Sequence, residues 1–429
     1  MPVAISGKTI YGWAKHLFPY NRSLTGEGNL KTFKFIKNKL KNLKLLKFPT
    51  NKKVFDWKVP YVWNVKDAYL ANHKNFKIVD FKKNNLHLVG YSHPVNKNVS
   101  FKELEKHLHY IKKQPNAIPY ITSYYKKYWG FCLSYKQFKK LNKNKDYYVR
   151  VQSSFKKGFM HVGEILIKGR SKKEILLSTN ICHPSMGNNE LSGLVTTMAI
   201  TKYLQSKKIL NYSYRILFLP ETIGSISYIN KNLAKLRKNT IGGLNIVCTG
   251  DEGDFSFLPS KYQNSLFEKI ALNTLKKYIK NVKKYSFLDR GSDERQYCSP
   301  GINLPVCSIM RSKYGKYKEY HTSLDNLKFI SAKGLGKSYK IIKLFLAEFE
   351  NTKIYINTNM CEPFLSKYNL YPTISDKKSF QNTKLIKNIL TYCDGKNDVS
   401  AISKLIKENE KKVNKVLKIL IKKKLIRQL

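Results

Sequence analysis

Apolar positions recur along the chain with different periods, and the changes of period divide it into four stretches. From Ile10 to Phe18 they fall at helical spacing until Pro19. After the loop Asn21-Arg22-Ser23-Leu24-Thr25-Gly26-Glu27-Gly28, the residues Leu30, Phe33, Phe35, Ile36 and Leu40 resume that spacing, so residues 1–54 predict helices around one loop. Residues 55–165 carry short aromatic and β-branched runs between turn signals (FDWKVPYVW, FKIVDF, LHLVGY, WGFCLSY, YYVRVQSSF, HVGEILIKG). This predicts a mainly-β module with one helix near Phe101–Lys113. Residues 166–350 alternate strand-like runs (EILLSTNI, YRILFLP, GGLNIVCTG, LPVCSIM) with helical segments at Leu191–Gln205, Ser225–Leu236, Ser265–Lys280 and Asn326–Phe349. Alternation of that kind predicts an α/β domain, a mostly parallel mixed sheet flanked by helices. Residues 351–429 predict three helices near Asn382–Tyr392, Ser400–Glu408 and Lys411–Lys423, a small helical or winged-helix module.

At 429 residues, 42% of them hydrophobic, the chain is long enough for several domains and apolar enough to bury a core. No run approaches the roughly 18 apolar residues of a membrane helix, and the N-terminus lacks the basic-then-apolar pattern of a signal peptide. Seven scattered cysteines without a CxxC pair fit a reducing cytoplasm. The formal charge of +52 points first to a polyanion partner, yet only nine of the 80 basic residues are Arg and the Lys is spread from end to end. Phosphate and base recognition favours Arg forks, so the excess reads as compositional bias. No specific nucleic-acid partner is expected.

Sites in open α/β sheets form beyond the carboxyl ends of strands. Of nine His, seven lie at or before His161; the other two, His183 and His321, follow predicted strands. Acids are scarce, 28 in all, yet Glu190, Glu221, Asp251, Asp293 and Glu294 follow the strands of this half. Imidazole with carboxylate suits Zn²⁺. His183 and Glu190 bound one loop and can converge on one ion, while Glu221, left outside the ligand set, can serve as general base. Cys182 reads as an inert buried thiol.

These segments resemble the M28-type zinc aminopeptidase fold and, more narrowly, the bacterial aminopeptidase-like domain family with an inserted module (DUF4910 with DUF2172). The matched features run in order through residues 174–350: His183; Glu190 in E-L-S-G; Glu221; Asp251; Ser292-Asp293-Glu294 with Gly301-Ile302-Asn303-Leu304-Pro305; and His321-Thr322-Ser323-Leu324-Asp325. The resemblance implies a zinc-exopeptidase-like fold, with His183, Glu190, His321 and Asp251 as metal ligands and Glu221 as base. It places Asp293 and Glu294 at the substrate pocket. The N-terminal R-S-L-T-G-E-G resembles the narrower family, and Arg22 and Glu27 are its candidate substrate contacts.

Three positions depart from the family pattern. Thr222 stands where a ligand Glu is usual, Glu294 where a His is usual, and Glu190 where the bridging residue is usually Asp. One zinc rather than two is expected. The activity implied is hydrolysis of a peptide or sugar-linked amino-acyl amide, on a small peptide or an amino-acyl or amino-sugar substrate. The rival readings are a catalytically inactive, metal-stabilised binding protein linked to surface polysaccharide biosynthesis, and a nucleic-acid-associated protein. A homo-oligomer is compatible with the sequence.

Overall fold

The computed structural model describes residues 5–373 and 376–428. The chain forms two compact units, Met1–Gln263 with Leu272–Phe345, and Asn264–Ala271 with Leu346–Leu429.

The larger unit is built on an eight-stranded sheet. Its strands are β1 (Lys44–Pro49), β2 (Phe159–Ile167), β3 (Glu174–Asn180), β4 (Ser213–Leu219), β5 (Thr240–Asn245), β6 (Phe255–Leu258), β7 (Val282–Lys284) and β8 (Val306–Met310). They lie in the order β1-β2-β4-β3-β5-β8-β6-β7. The centre, β4-β3-β5-β8, is parallel, while β1, β2 and β6 pair antiparallel with their inner neighbours. Every residue of β3, β4 and β8 is buried, as expected when helices cover both faces of a sheet.

Four helices matter for the site: α1 (Gly7–Leu17), α2 (Glu27–Lys39), α3 (Ser192–Gln205) and α4 (Ile223–Asn239). The helix α1 is capped by Ser6, whose side chain accepts from the Thr9 N–H, and it buries Ile10, Trp13, Ala14 and Leu17. The loop between α1 and α2 needs its glycines. Gly26 sits at φ +99°, and a Cβ on Gly28 would lie 2.0 Å from the Asn21 carbonyl oxygen.

Several sequence expectations are corrected. Residues 44–49, taken as part of a helical stretch, form the edge strand β1. The helix expected at 101–113 stops at Glu105, and the chain goes on into the short strand Leu108–His109. LHLVGY begins within a 3₁₀ turn, Asn85–His87, and forms no strand. The inserted module carries a four-stranded antiparallel sheet ordered Lys77–Asp80, Val62–Asn72, Tyr147–Lys156, Val95–Val99. Trp63 anchors it, stacked 5.2 Å from Tyr91 and donating its indole N–H to the Ser92 carbonyl.

The smaller unit contains the helices Lys377–Tyr392, Val399–Ile406 and Glu410–Lys422 and a three-stranded antiparallel sheet with Ile354–Asn357 at its centre. Its core includes Ile389, Ile402, Val413, Leu417 and Leu420. This is a winged-helix arrangement.

Candidate metal centre

The strand β3 ends at Asn180, and the chain then turns sharply: His183 and Ser185 take φ +57° and +51°. Left-handed backbone at non-glycine residues costs energy and clusters at functional sites. Along a straight strand Cys182 and His183 would face opposite ways. The turn instead brings the Cys182 sulfur within 3.3 Å of His183 Nδ1. One π-helical turn, Gly187–Leu191, leads into α3 and carries Glu190 back to the same place. Its Oε1 lies 3.1 Å from His183 Nδ1. On the other edge of the ring, Nε2 lies 3.9 Å from Glu221 Oε2. His183 is thus set between two carboxylates.

Burial governs the charges. It pushes the Glu190 carboxyl well above the usual range, and nearby Asp293 adds to the rise. Glu221 rises to about 8 through burial and the neighbouring Glu190 charge. Burial lowers His183, and it lowers His321 to about 3. Carboxylates crowded in a desolvated pocket favour a bound cation.

The donor set fits a divalent ion such as zinc. Cys182, His183 and Glu190 each offer a ligand atom, all within 4.8 Å of one another and all buried. Glu190 Oε2 is buried without a hydrogen bond of ordinary geometry among the described residues. The observed spacings of 3.1 and 3.3 Å are close to those of two donors about 2.0–2.3 Å from one tetrahedral ion. His321, also at positive φ, brings its ring to 5.3 Å from that of His183. It stacks on Tyr320 and receives the Asn189 amide at 3.5 Å from Nε2. It flanks the trio without entering it.

The remaining expected site residues hold the loops. Asp251 Oδ1 accepts from Gly253 N and Ser312 Oγ, while Oδ2 accepts from Asn188 Nδ2 and Ser312 N. With both oxygens engaged, it braces the turn that carries Glu190. Asp325 does the same from the other side, accepting the Asn188 and Asn189 N–H groups. Asp293 accepts from Thr222 N and Ser225 Oγ, each at 2.8 Å, and so fixes the turn after Glu221. Thr222 in that turn sits at φ +65° and receives Arg295 Nη2 on its hydroxyl.

Glu294, expected at the substrate pocket, is fully buried. Gly291 N, Ser292 N, Asn245 Nδ2 and the Tyr314 hydroxyl take its oxygens. It shapes the loop from which Ser292 Oγ donates to Glu221 Oε1 at 2.9 Å. Arg22, expected to touch substrate, is fully buried and donates to the carbonyls of Leu17 and His183. Glu27 is exposed in the first turn of α2, where an acid suits the helix dipole. Sequence reasoning set Cys182 aside as an inert thiol and did not single out Asn189. The signal for both was position, immediately beside His183 and Glu190.

Comparison with known proteins agrees with this architecture. Residues 11–352 match the family model described as a domain of unknown function, DUF4910, and residues 353–428 match a winged helix-turn-helix model. A Clostridium acetobutylicum protein, named as a candidate polysaccharide biosynthesis protein with an aminopeptidase-like domain, is 42% identical over 93% of this chain and 91% of its own length. A crystal structure from Clostridium acetobutylicum, described as a candidate peptidase, superposes with a TM-score of 0.81 at 40% identity, covering 99% of this chain and 96% of that one. The Bacillus subtilis zinc aminopeptidase BSAP shares the fold alone, with a TM-score of 0.60 at 11% identity over 81% of this chain and 96% of its own. With an aminopeptidase-like α/β fold of the M28 kind and a C-terminal winged helix, the chain belongs to the DUF4910 family.

Proposed function

We propose that this protein is a zinc-dependent, aminopeptidase-like hydrolase that cleaves an amide, either a peptide bond or a sugar-linked amino-acyl bond. The observation that carries the reading is the His183 ring set between the carboxylates of Glu190 and Glu221 at the carboxyl ends of β3 and β4. His183 and Glu190, with Cys182 beside them and His321 flanking, would hold one Zn²⁺. When bound, the ion supplies a Lewis acid for the scissile carbonyl and lowers the pKa of water.

The other steps belong to the chain's own groups. Glu221 Oε2 lies 3.9 Å from His183 Nε2, and this carboxylate takes a proton from the attacking water at Oε2. Ser292 Oγ holds Oε1, so the carboxylate cannot rotate freely. The Cys182 sulfur accepts the Glu221 N–H and fixes its backbone. Tyr120, its ring 4.5 Å from that of His183, walls off solvent on one side.

Among the described residues no helix is long and apolar enough to cross a membrane. Among the described residues no disulfide forms, which fits the reducing cytoplasm we assign. The name of the Clostridium relative favours a substrate from polysaccharide synthesis.

The test is zinc content per chain together with turnover on a panel of aminoacyl amides. One zinc per chain and turnover that stops on chelation are expected. Zinc without turnover on any amide would favour the inactive, metal-stabilised binding protein.

A further inference from the structure

A cavity of about 380 Å³ opens in the inserted module next to the metal centre. Its volume is in the range of small-molecule sites. Tyr124 links the two places. It lines the cavity, and its hydroxyl lies 3.1 Å from that of Tyr120, whose ring contacts those of His183 and His321 at 4.5 and 5.4 Å.

The lining has three chemical features. Tyr61, Tyr91, Tyr124, Tyr125 and Phe155 give it aromatic walls, although aromatics are only 13% of the chain. Asn51, His93 and the Tyr124 hydroxyl supply polar groups. Burial and the charge of Lys127 lower the pKa of His93, and a neutral imidazole both donates and accepts. Lys58, Lys126 and Lys127 line it too, with no carboxylate among the lining residues.

Each feature narrows the ligand. Flat aromatic walls suit a ring. A purely apolar ring would leave the polar groups desolvated and unpaired, which costs free energy; a hydroxylated ring pairs them. Lysines without a local counter-charge suit an anionic substituent. We propose that this cavity is the subsite for the part of the substrate beyond the scissile amide, and that it takes a sugar ring bearing a carboxylate or phosphate. The subsite deepens the hydrolase reading, and rests on it only for naming the ligand a substrate portion.

Calorimetric titration of the full chain and of its Glu221→Gln variant tests this with glucuronate, glucose 6-phosphate, glucose, phenylacetate and inorganic phosphate. At least one of the two sugar acids is expected to bind at least tenfold more tightly than each of the other three, and comparison of the two identifies the acidic group. Tyr125→Ala and Lys127→Ala, both at exposed positions, are expected to weaken that binding at least fivefold with an unchanged melting temperature. Three results would overturn the proposal: no binding by either sugar acid, phenylacetate binding as tightly as the better sugar acid, or phosphate matching glucose 6-phosphate without sensitivity to Tyr125→Ala. The last would reduce the effect to the bulk charge of a Lys-rich chain. Binding is read without turnover, so a failed subsite leaves the hydrolase reading standing, and an inactive enzyme leaves the subsite testable.

Discussion

Arg22 donates Nη2 to the carbonyl oxygen of His183, 3.0 Å away across 161 residues of sequence. Its Nη1 donates to the Leu17 carbonyl at 2.6 Å, so one guanidinium joins the end of α1 to the strained turn after β3. Burial lowers its pKa to about 10, which still leaves it charged at neutral pH. A residue that resembles a substrate contact in sequence is a brace for the backbone turn that carries the central imidazole.

Replacing that brace loosens the imidazole. Lys in place of Arg22 offers one ammonium where two divergent donors are needed. Arg22→Lys is expected to weaken zinc binding by roughly 10–100-fold, the usual cost of losing an outer-shell partner. Competition with a chromophoric chelator reads this. Unchanged affinity would reduce Arg22 to a packing role.

Glu221→Gln keeps the size and the Ser292 contact but removes the base. Turnover is expected to drop by about 10²–10⁴-fold while zinc content stays the same. Steady-state rates paired with elemental analysis check it, and an undiminished rate removes Glu221 from the chemistry.

Cobalt in place of zinc reports on Cys182. Its sulfur, 3.3 Å from His183 Nδ1, is expected to give a thiolate-to-cobalt charge-transfer band in the near ultraviolet, lost in Cys182→Ser. His183→Ala with His321→Ala is expected to abolish the ion altogether. A cobalt spectrum without that band would leave Cys182 a bystander that only fixes the Glu221 backbone.

Stability rests partly on a buried ion network under the sheet. Arg215 on β4 donates to both oxygens of Glu174 at 2.6 and 2.7 Å and to Glu164 at 2.9 Å, with Tyr228 joining. Truncating it strands carboxylates in a low-dielectric site. Arg215→Ala is expected to cost about 3–5 kcal/mol, read by urea denaturation. A loss under 1 kcal/mol would mean that water repairs the gap.

His87 makes the larger unit sensitive to acid. Its ring Nδ1 lies 2.8 Å from the Cys132 carbonyl, and burial lowers its pKa. The unfolded chain therefore takes up a proton more readily than the folded one. The stability this contributes is complete above the unfolded value of roughly 6.5 and is lost as pH falls from there toward the folded value. His87→Asn, which keeps a donor at that carbonyl, is expected to flatten the pH dependence between about 7 and 5 by up to roughly 1.4 kcal/mol per pH unit. Parallel stability curves for variant and parent would count against it.

The central strands were legible because they are continuous apolar runs closed by loops that hold His and acids. That pattern needs no partner to be read, and it placed His183, Glu190, Glu221 and His321 in the segments that follow strands. Two of the edge strands were not legible. Val95–Val99 reads VNKNV and Val282–Lys284 reads VKK, polar because an edge strand is half exposed. Such segments become strands only through the neighbour they pair with.

The sequence alone determined the α/β class and the family and pointed to His183 and Glu190, because those follow from local periodicity and motif order. Tertiary structure decided what each polar residue does there. Arg22, Asp251, Asp293 and Glu294 all look like site residues in one dimension. Only their hydrogen-bond partners, 49 to 161 positions away, show them bracing the loops. Cys182 reached the centre through a left-handed turn that no spacing rule anticipates. A buried polar group must be paired, and which partner pairs it is fixed by the fold.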